Sequence, residues 1–419
     1  MYLNRHIEKQ LLKAASEYAC ITIYGPRQVG KSTVVEYLFG ASMPKYSMDD
    51  IILRSSAKTN PRLFLENIGW PVIIDEVQKT PELFEQIKIN IDKEKSRRLK
   101  NNENIELMYV LTGSNQFELK NKISESLAGR TAVLPLSTLS NAELLKYPTT
   151  SFFNPNIDIL KQKQQNYKLP YRTRKRIFED IFRGGMPEYV VYDRARELFF
   201  DSYIFTYIER DVRAIIRADK ETIFLKFLEY IALRTGSQID YSEISRSVGI
   251  DVRTVKNWLS ILETSGIIVL LEPFMKNSSK RIIKSPKLYF MDTGLCAYLC
   301  KWPTAEMLER GIMSGAFYET YVVSEIIKSY YNNGLNPKRY LYYYRDKYQK
   351  EVDLIIDSAT GIYPIEIKKG INPVSSNKNF DFLNHLGKNI NIGLVIDSCE
   401  TLMPINEKVY SCPISLIGL

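Results

Sequence analysis

Residues 25–33 read Gly25-Pro26-Arg27-Gln28-Val29-Gly30-Lys31-Ser32-Thr33, and no other stretch limits the possible folds so strongly. They follow a short β-branched and aromatic run, Ile21 to Tyr24, and lead into the helix-like Val34 to Leu38. A G-x-x-x-x-G-K-[ST] pattern between a strand and a helix calls for an α/β unit with a parallel sheet, in which a strand tip hands a glycine loop to a helix N-terminus. The glycines let backbone N–H groups curl around a phosphate chain, and the new helix turns its positive end toward the same charge. Lys31 is then placed to reach the β- and γ-phosphates, and Ser32 offers a hydroxyl to Mg2+.

Further strands fit the same sheet. Trp70 to Ile74 is an apolar run ending in Asp75-Glu76, two carboxylates at the strand tip where ligands bind in open α/β sheets. Asp75 is the candidate to hold Mg2+ through water, and Glu76 to orient and polarise the attacking water. Glu106 to Leu111 is another strand, running into Thr112-Gly113-Ser114-Asn115, polar groups placed to sense the γ-phosphate. Arg130 precedes the strand Thr131 to Leu136. It reads either as a finger that neutralises transition-state charge, in cis or in trans, or as one half of a surface ion pair. No guanine-reading N-K-x-D follows, which favours ATP as the nucleotide.

Together, Gly25 to Thr33, Ile73-Ile74-Asp75-Glu76, Leu111 to Ser114 and Ser126-Leu127-Ala128-Gly129-Arg130 resemble the prokaryotic AAA-type ATPases that carry a C-terminal nuclease-like domain. The resemblance implies a P-loop NTPase parallel sheet, a helical and winged-helix middle domain and a restriction-endonuclease-like α/β end, related to the signal-transduction ATPases with numerous domains. It divides the chain into an ATPase core at 1–146, a linker or insertion at 147–171, a helical and winged-helix region at 172–304 and a nuclease-like domain at 305–419. It further implies that Arg183-Gly184-Gly185-Met186-Pro187-Glu188 lies over the adenine, with Pro187 against the base. The residues alone indicate only a tight turn between helices. In the amphipathic helix Phe199 to Ile216, Arg210 or Arg213 becomes a candidate link to nucleotide state, or a member of an ordinary surface pair.

Charge then matters. The chain has 419 residues and a net charge of +9, to which 1–150 contribute +3, 151–220 +4, 221–304 +3 and 305–419 −1. A basic middle favours an anionic partner or is simply a solvated face. Tyr241 to Ile250 followed by Asp251 to Leu262 has the shape of a helix-turn-helix, with Gly249 at the turn and Val252, Val255, Leu259 and Leu262 as its buried stripe. Arg253, Thr254, Lys256 and Asn257 are left exposed at the start of the second helix, the portion that enters a major groove. The strands Ile267 to Leu271 and Lys287 to Met291 enclose a loop with Lys280 and Arg281, a basic wing suited to duplex DNA. The same module also serves as a protein-interaction surface, and self-association or another protein partner stays open.

In the C-terminal part a helix carrying Glu319 and Glu325 precedes strands at Tyr340 to Tyr344, Glu351 to Ile356 and Tyr363 to Ile367. A helix near Phe380 to Leu386 and strands at Ile392 to Ile396 and near Val409 to Ile417 follow. Asp353, twelve intervening residues and Glu366-Ile367-Lys368 give D-x12-E-x-K, which resembles the PD-(D/E)xK nuclease core. Asp353, Glu366 and Glu319 are positioned to share one Mg2+, with Lys368 beside the hydrolytic water. A degenerate domain that keeps these residues for structure is the alternative.

The remaining composition excludes more than it assigns. Two histidines, His6 and His385, argue against a His-rich zinc site or a His-dependent triad, and five cysteines without a C-x-x-C pair suit reduced, buried thiols. The longest wholly aliphatic run is Ile267 to Leu271, too short to cross a bilayer, and the N-terminus lacks a secretory h-region. The expectation is a cytoplasmic ATPase acting as a nucleotide-controlled switch on DNA or a partner. An ATP-regulated Mg-dependent nuclease and a non-catalytic assembly module are the alternatives.

Overall fold

The computed structural model describes residues 2–114, 116–148, 151–167, 171–207, 220–275, 285–370 and 379–418. Five strands form the N-terminal sheet: β1 (Cys20–Tyr24), β2 (Lys45–Ser47), β3 (Val72–Asp75), β4 (Tyr109–Gly113) and β5 (Thr131–Pro135), parallel throughout in the order β2-β3-β4-β1-β5. Alternation along the strands gives the sheet two apolar faces. Ile21, Ile23, Ile73 and Val110 pack with Leu11, Val34 and Phe39 on one side, and Cys20, Val72, Ile74, Tyr109 and Leu111 pack with Phe84, Ile87 and Ile91 on the other. Both faces are covered by helices, so every strand tip with functional groups lies on one rim.

The middle part is helical apart from a small antiparallel sheet, β6 (Ser237–Gln238), β7 (Ile268–Leu271) and β8 (Lys287–Phe290), in the order β6-β8-β7. The helices Tyr241–Val248 and Val252–Thr264 meet at Gly249, whose φ of 80° suits a residue without Cβ. Asp251 caps the second helix by accepting from the Thr254 amide at 2.9 Å. Val255, Leu259 and Leu262 are buried as expected, with Trp258 packed edge-on against Phe224 and Phe227. Val252, expected in that stripe, is exposed.

The C-terminal part sets the helix Ser314–Asn332 against a six-stranded mixed sheet of β9 (Leu341–Arg345), β10 (Glu351–Ser358), β11 (Gly361–Ile367), β12 (Gly393–Asp397), β13 (Met403–Asn406) and β14 (Val409–Pro413), in the order β13-β14-β12-β11-β10-β9. The expected α/β class is therefore what the chain adopts: a parallel five-stranded sheet and a separate mixed sheet. Two local expectations are corrected. Asp381–Leu386 is a 3-10 helix rather than an α-helix, and the last expected strand is β14, which ends at Pro413 before a 3-10 turn and is preceded by the unexpected strand β13.

The stretch 147–171 is not a bare linker. Asn156 caps the helix Ile157–Asn166, and its Ile157 and Leu160, with Phe153, are buried. The Phe153 amide donates to Ser329 Oγ (3.0 Å) and the Leu402 amide to Gln164 Oε1 (2.7 Å), which fixes the segment to the C-terminal part. A single apolar cluster runs from Phe153 to Ile417. The segment that follows β7 of the small middle sheet also meets the C-terminal sheet directly: Tyr343 on β9 bridges Pro273, and Phe274 packs edge-on against Tyr342.

Candidate nucleotide site and a second carboxylate cluster

The rim formed by the ends of β1, β3 and β4 brings together most of the N-terminal candidates. Gly30 adopts φ 89° and starts the helix Lys31–Phe39 with no side-chain cap, so the first N–H groups of that helix keep no side-chain acceptor at the cap position. Lys31 is buried, and its Nζ donates to the carbonyls of Gly25 (2.9 Å) and Pro26 (2.7 Å) inside the loop. Ser32 Oγ donates to both oxygens of Asp75, at 3.0 and 2.9 Å, and Thr112 Oγ1 donates to Asp75 Oδ1. Lys45 adds a cation 3.7 Å from the same carboxylate. The adjacent hydroxyl and carboxylate are the oxygen donors that a hard cation takes, and the uncapped helix end with a lysine in the loop matches a phosphate chain. These residues therefore fit a magnesium nucleotide: Lys31 and the loop amides for the phosphates, Ser32 and Asp75 for the metal.

Glu76 has the left-handed φ of 53°, an uncommon conformation for a residue with a side chain. Its carboxylate is anchored, with Oε2 accepting from Gln78 Nε2 (2.5 Å) and Ser114 Oγ (2.8 Å). Gly113 leaves room for this arrangement, since a Cβ there would lie 2.5 Å from Gln78 Oε1. Thr112 and Ser114 thus hold the two strand-tip carboxylates. Asn115 lies outside the described residues.

A cleft of about 370 Å³ opens beside the loop, lined by Tyr2, Gln28, Gly30, Thr33, Pro187 and Tyr192 among others. It brings Pro187, the first residue of the helix Pro187–Tyr192, to the loop that precedes Lys31. The turn before it is tightly threaded. A Cβ on Gly184 would lie 2.4 Å from Asp292 Oδ1 and one on Gly185 would lie 2.2 Å from the Leu139 carbonyl. Arg130 is placed elsewhere. The register pairs Thr131 with Cys20, at the end of β1 opposite Gly25, and Arg130 makes a two-pronged ion pair with Asp92 at 2.7 and 2.8 Å. A strand's length thus separates Arg130 from this chain's own phosphate loop.

Motif reading missed the residues that brace the loop from behind. Arg5 is buried, donating to the Val29 carbonyl (2.8 Å), the Ser137 carbonyl (2.8 Å) and Glu143 Oε1 (3.0 Å). Burial alone would raise the Glu143 carboxyl, but Arg5, His6 and the backbone amides of Ser140 and His6 outweigh it and hold it below the usual carboxylate range. Next to Ser137, Leu139 donates its amide to the Gly185 carbonyl (2.8 Å) and accepts from Lys328 Nζ (3.2 Å), while the Asn141 amide donates to Glu325 Oε2 (2.7 Å). The phosphate loop is thus tied by buried polar contacts to the turn before Pro187 and to the helix Ser314–Asn332.

The comparisons with known proteins agree with the first of these sites. Residues 17–145 match an AAA domain, so the N-terminal unit is an AAA-type P-loop ATPase domain. Residues 174–306 match a domain of unknown function (DUF8612) and 314–417 another (DUF4143). Uncharacterized proteins of Mycobacterium tuberculosis and Mycobacterium bovis are each 26% identical over 375 residues, 88% of this chain and 75% of theirs. Among solved structures, a Walker-type ATPase of Pyrococcus abyssi is 15% identical, covering 71% of this chain and 96% of its own, with a TM-score of 0.44. RuvB of Thermotoga maritima is also 15% identical, covering 63% and 88%, with a TM-score of 0.31.

The remaining candidates fall on the other two parts. Arg253, Lys256 and Asn257 are exposed on one face of the helix Val252–Thr264, and Thr254 is half-buried with its hydroxyl on Asp251. Lys280, Arg281, Arg210 and Arg213 lie outside the described residues. Glu319, Asp353, Glu366 and Lys368 do come together, but around a residue that the motif did not include. Lys287 of β8 is buried, with its Nζ 2.9 Å from Glu319 Oε1, in contact with Glu351, and 3.9 Å from Asp353 Oδ1. Tyr289 donates to Glu319 (2.7 Å), the Ile367 amide to Asp353 Oδ2 (2.8 Å), and Lys368 Nζ lies 2.7 Å from Glu366. Burial, with Glu319 and Glu366 close by, pushes the Asp353 carboxyl up to about 7. Burial disfavours the Lys287 charge, yet Glu319, Asp353 and Glu351 outweigh it and hold the ammonium above the usual lysine range.

Proposed function

We propose that this chain binds and hydrolyses ATP with Mg2+ and passes its nucleotide state to a surface that contacts duplex DNA. Lys31 and the loop amides hold the β- and γ-phosphates, Ser32 and Asp75 hold the metal, and Pro187 and Tyr192 close over the base. A bound magnesium ion supplies charge neutralisation on the phosphates. Glu76, fixed by Gln78 and Ser114, orients the hydrolytic water and takes its proton at Oε. The observation that carries the switch reading is the buried polar relay from Val29 through Arg5, Ser137 and Leu139 to Gly185 and Lys328. Any shift of the loop on gaining or losing the γ-phosphate is felt at both ends of that relay, since neither end can lose its partner without leaving a buried polar group unpaired.

The DNA surface is the exposed face of Arg253, Lys256 and Asn257 on a helix preceded by a tight turn. Gel-shift titration of a mixed duplex at several salt concentrations tests it. Wild type is expected to bind more tightly with ATP than with ADP, and the Arg253→Ala/Lys256→Ala variant to bind weakly, with a salt slope reduced by about 2. Equal binding by the variant removes DNA as the partner of this face and leaves a protein.

A further inference from the structure

The D-x12-E-x-K resemblance implies a divalent metal among Glu319, Asp353 and Glu366, and the residues present do not fit one. Among the described residues no three Asp, Glu, His or Cys side chains are arranged to hold a metal ion. Each carboxylate is already turned toward a donor of the protein. Glu319 and Glu351 face Lys287, Asp353 accepts the Ile367 amide, and Glu366 faces Lys368. Arg345 stands 3.6 Å from the second oxygen of Glu351. A magnesium or calcium site needs at least two or three of these oxygens within about 2.0–2.6 Å of one point. Here the point among Glu319, Glu351 and Asp353 is taken by an ammonium group, and Glu366 is paired with Lys368 instead.

The source of that ammonium is the informative part. Lys287 belongs to β8, within the 174–306 match, whereas every carboxylate it meets belongs to the 314–417 match. Its ammonium nitrogen lies over the Tyr343 ring, 5.9 Å from the ring centre, and Tyr343 is the residue through which β9 bridges Pro273. Lysine has three donors in a compact head, and Glu319, Glu351 and Asp353 surround it from a helix and a strand. We propose that Lys287 stands in the metal's place, so that the C-terminal carboxylates form a metal-free ion joint that fastens the middle unit to the C-terminal sheet. The joint closes a cleft that would otherwise admit a cation and a phosphodiester. In the assembled chain this cluster does not support metal-dependent cleavage of DNA.

The test uses the full chain in a Ser32→Ala/Asp75→Ala background, so that the nucleotide site keeps neither of its metal ligands, with Mn2+ as the probe. Calorimetry and plasmid nicking on this protein are expected to register no Mn2+ uptake and no cleavage that depends on Asp353. Adding Lys287→Met is expected to lower Tm by at least about 5 °C, because carboxylates are left buried without their cation. A further Glu319→Gln is expected to recover part of that loss by removing one of the stranded charges. One Mn2+ bound, or nicking, that disappears in Asp353→Ala overturns the proposal. So does a Lys287→Met chain of unchanged Tm, or a Lys287→Met/Glu319→Gln chain no more stable than Lys287→Met alone.

Discussion

The chain builds a lysine-and-carboxylate site twice, and the two are closed by different chemistry. At the N-terminal rim, Lys31 rests on neutral loop carbonyls and Asp75 on the hydroxyls of Ser32 and Thr112, with Lys45 at 3.7 Å. Contacts of that kind yield to a phosphate and a cation, which offer stronger, charge-assisted partners. In the C-terminal cluster the lysine is set directly on carboxylates and is buried with them. Displacing it would strand charge in a low-dielectric interior. A site with the right residue types is therefore open or shut according to which group already supplies the counter-charge.

The largest effects come from exchanging the two lysines. Lys31→Ala is expected to reduce ATP turnover by 100-fold or more, on the order of the loss of one preorganised charge, while leaving thermal unfolding near wild type. Lys287→Met is expected to do the reverse, lowering Tm with turnover unchanged, and steady-state phosphate release beside a melting curve reads both. Arg5→Ala is the next in size. It leaves Glu143 buried without its cation, at a cost of about 3–5 kcal/mol in denaturant unfolding of the N-terminal unit, and it frees the Val29 carbonyl. Gln78→Ala removes one of the donors that fix Glu76, and a drop of about 10-fold in kcat with KM little changed is expected from steady-state kinetics. Arg130→Ala is the smallest, since its pairing with Asp92 is a partly exposed ion pair on the far end of the sheet. A change below about 1 kcal/mol in urea titration is expected.

Local pattern accounts for what could be read in advance. Strand, glycine loop and helix lie within a few residues of one another, and so do Asp75-Glu76, the turn at Gly184-Gly185 and the Gly249 turn. In each, the chemistry and the backbone demand coincide in adjacent positions. The groups that brace or close the sites are remote in sequence and carry no spacing signal. Arg5 and Glu143 are 138 residues apart, and an arginine in a mixed N-terminal segment looks like any solvated charge until β5 brings Ser137 beside it. Lys287 sits at the edge of a run read only as the return strand of a basic wing, and its burial depends on how β8 meets β10. The helix Ile157–Asn166 was hidden for a related reason, because only Lys and Gln fill positions 161–165 after Leu160 and break the apolar period. Short edge strands such as β2 and β13 have too few residues to show a period.

On the proposed function the open site, and not the closed one, performs the chemistry, through Glu76 at the tip of β3. Phosphate release from ATP by wild type and Glu76→Gln, measured beside nucleotide binding by the same two proteins, tests it most directly. Glu76→Gln is expected to keep its affinity for ATP and to lose turnover by about 100-fold or more. Turnover at the wild-type rate in Glu76→Gln contradicts it.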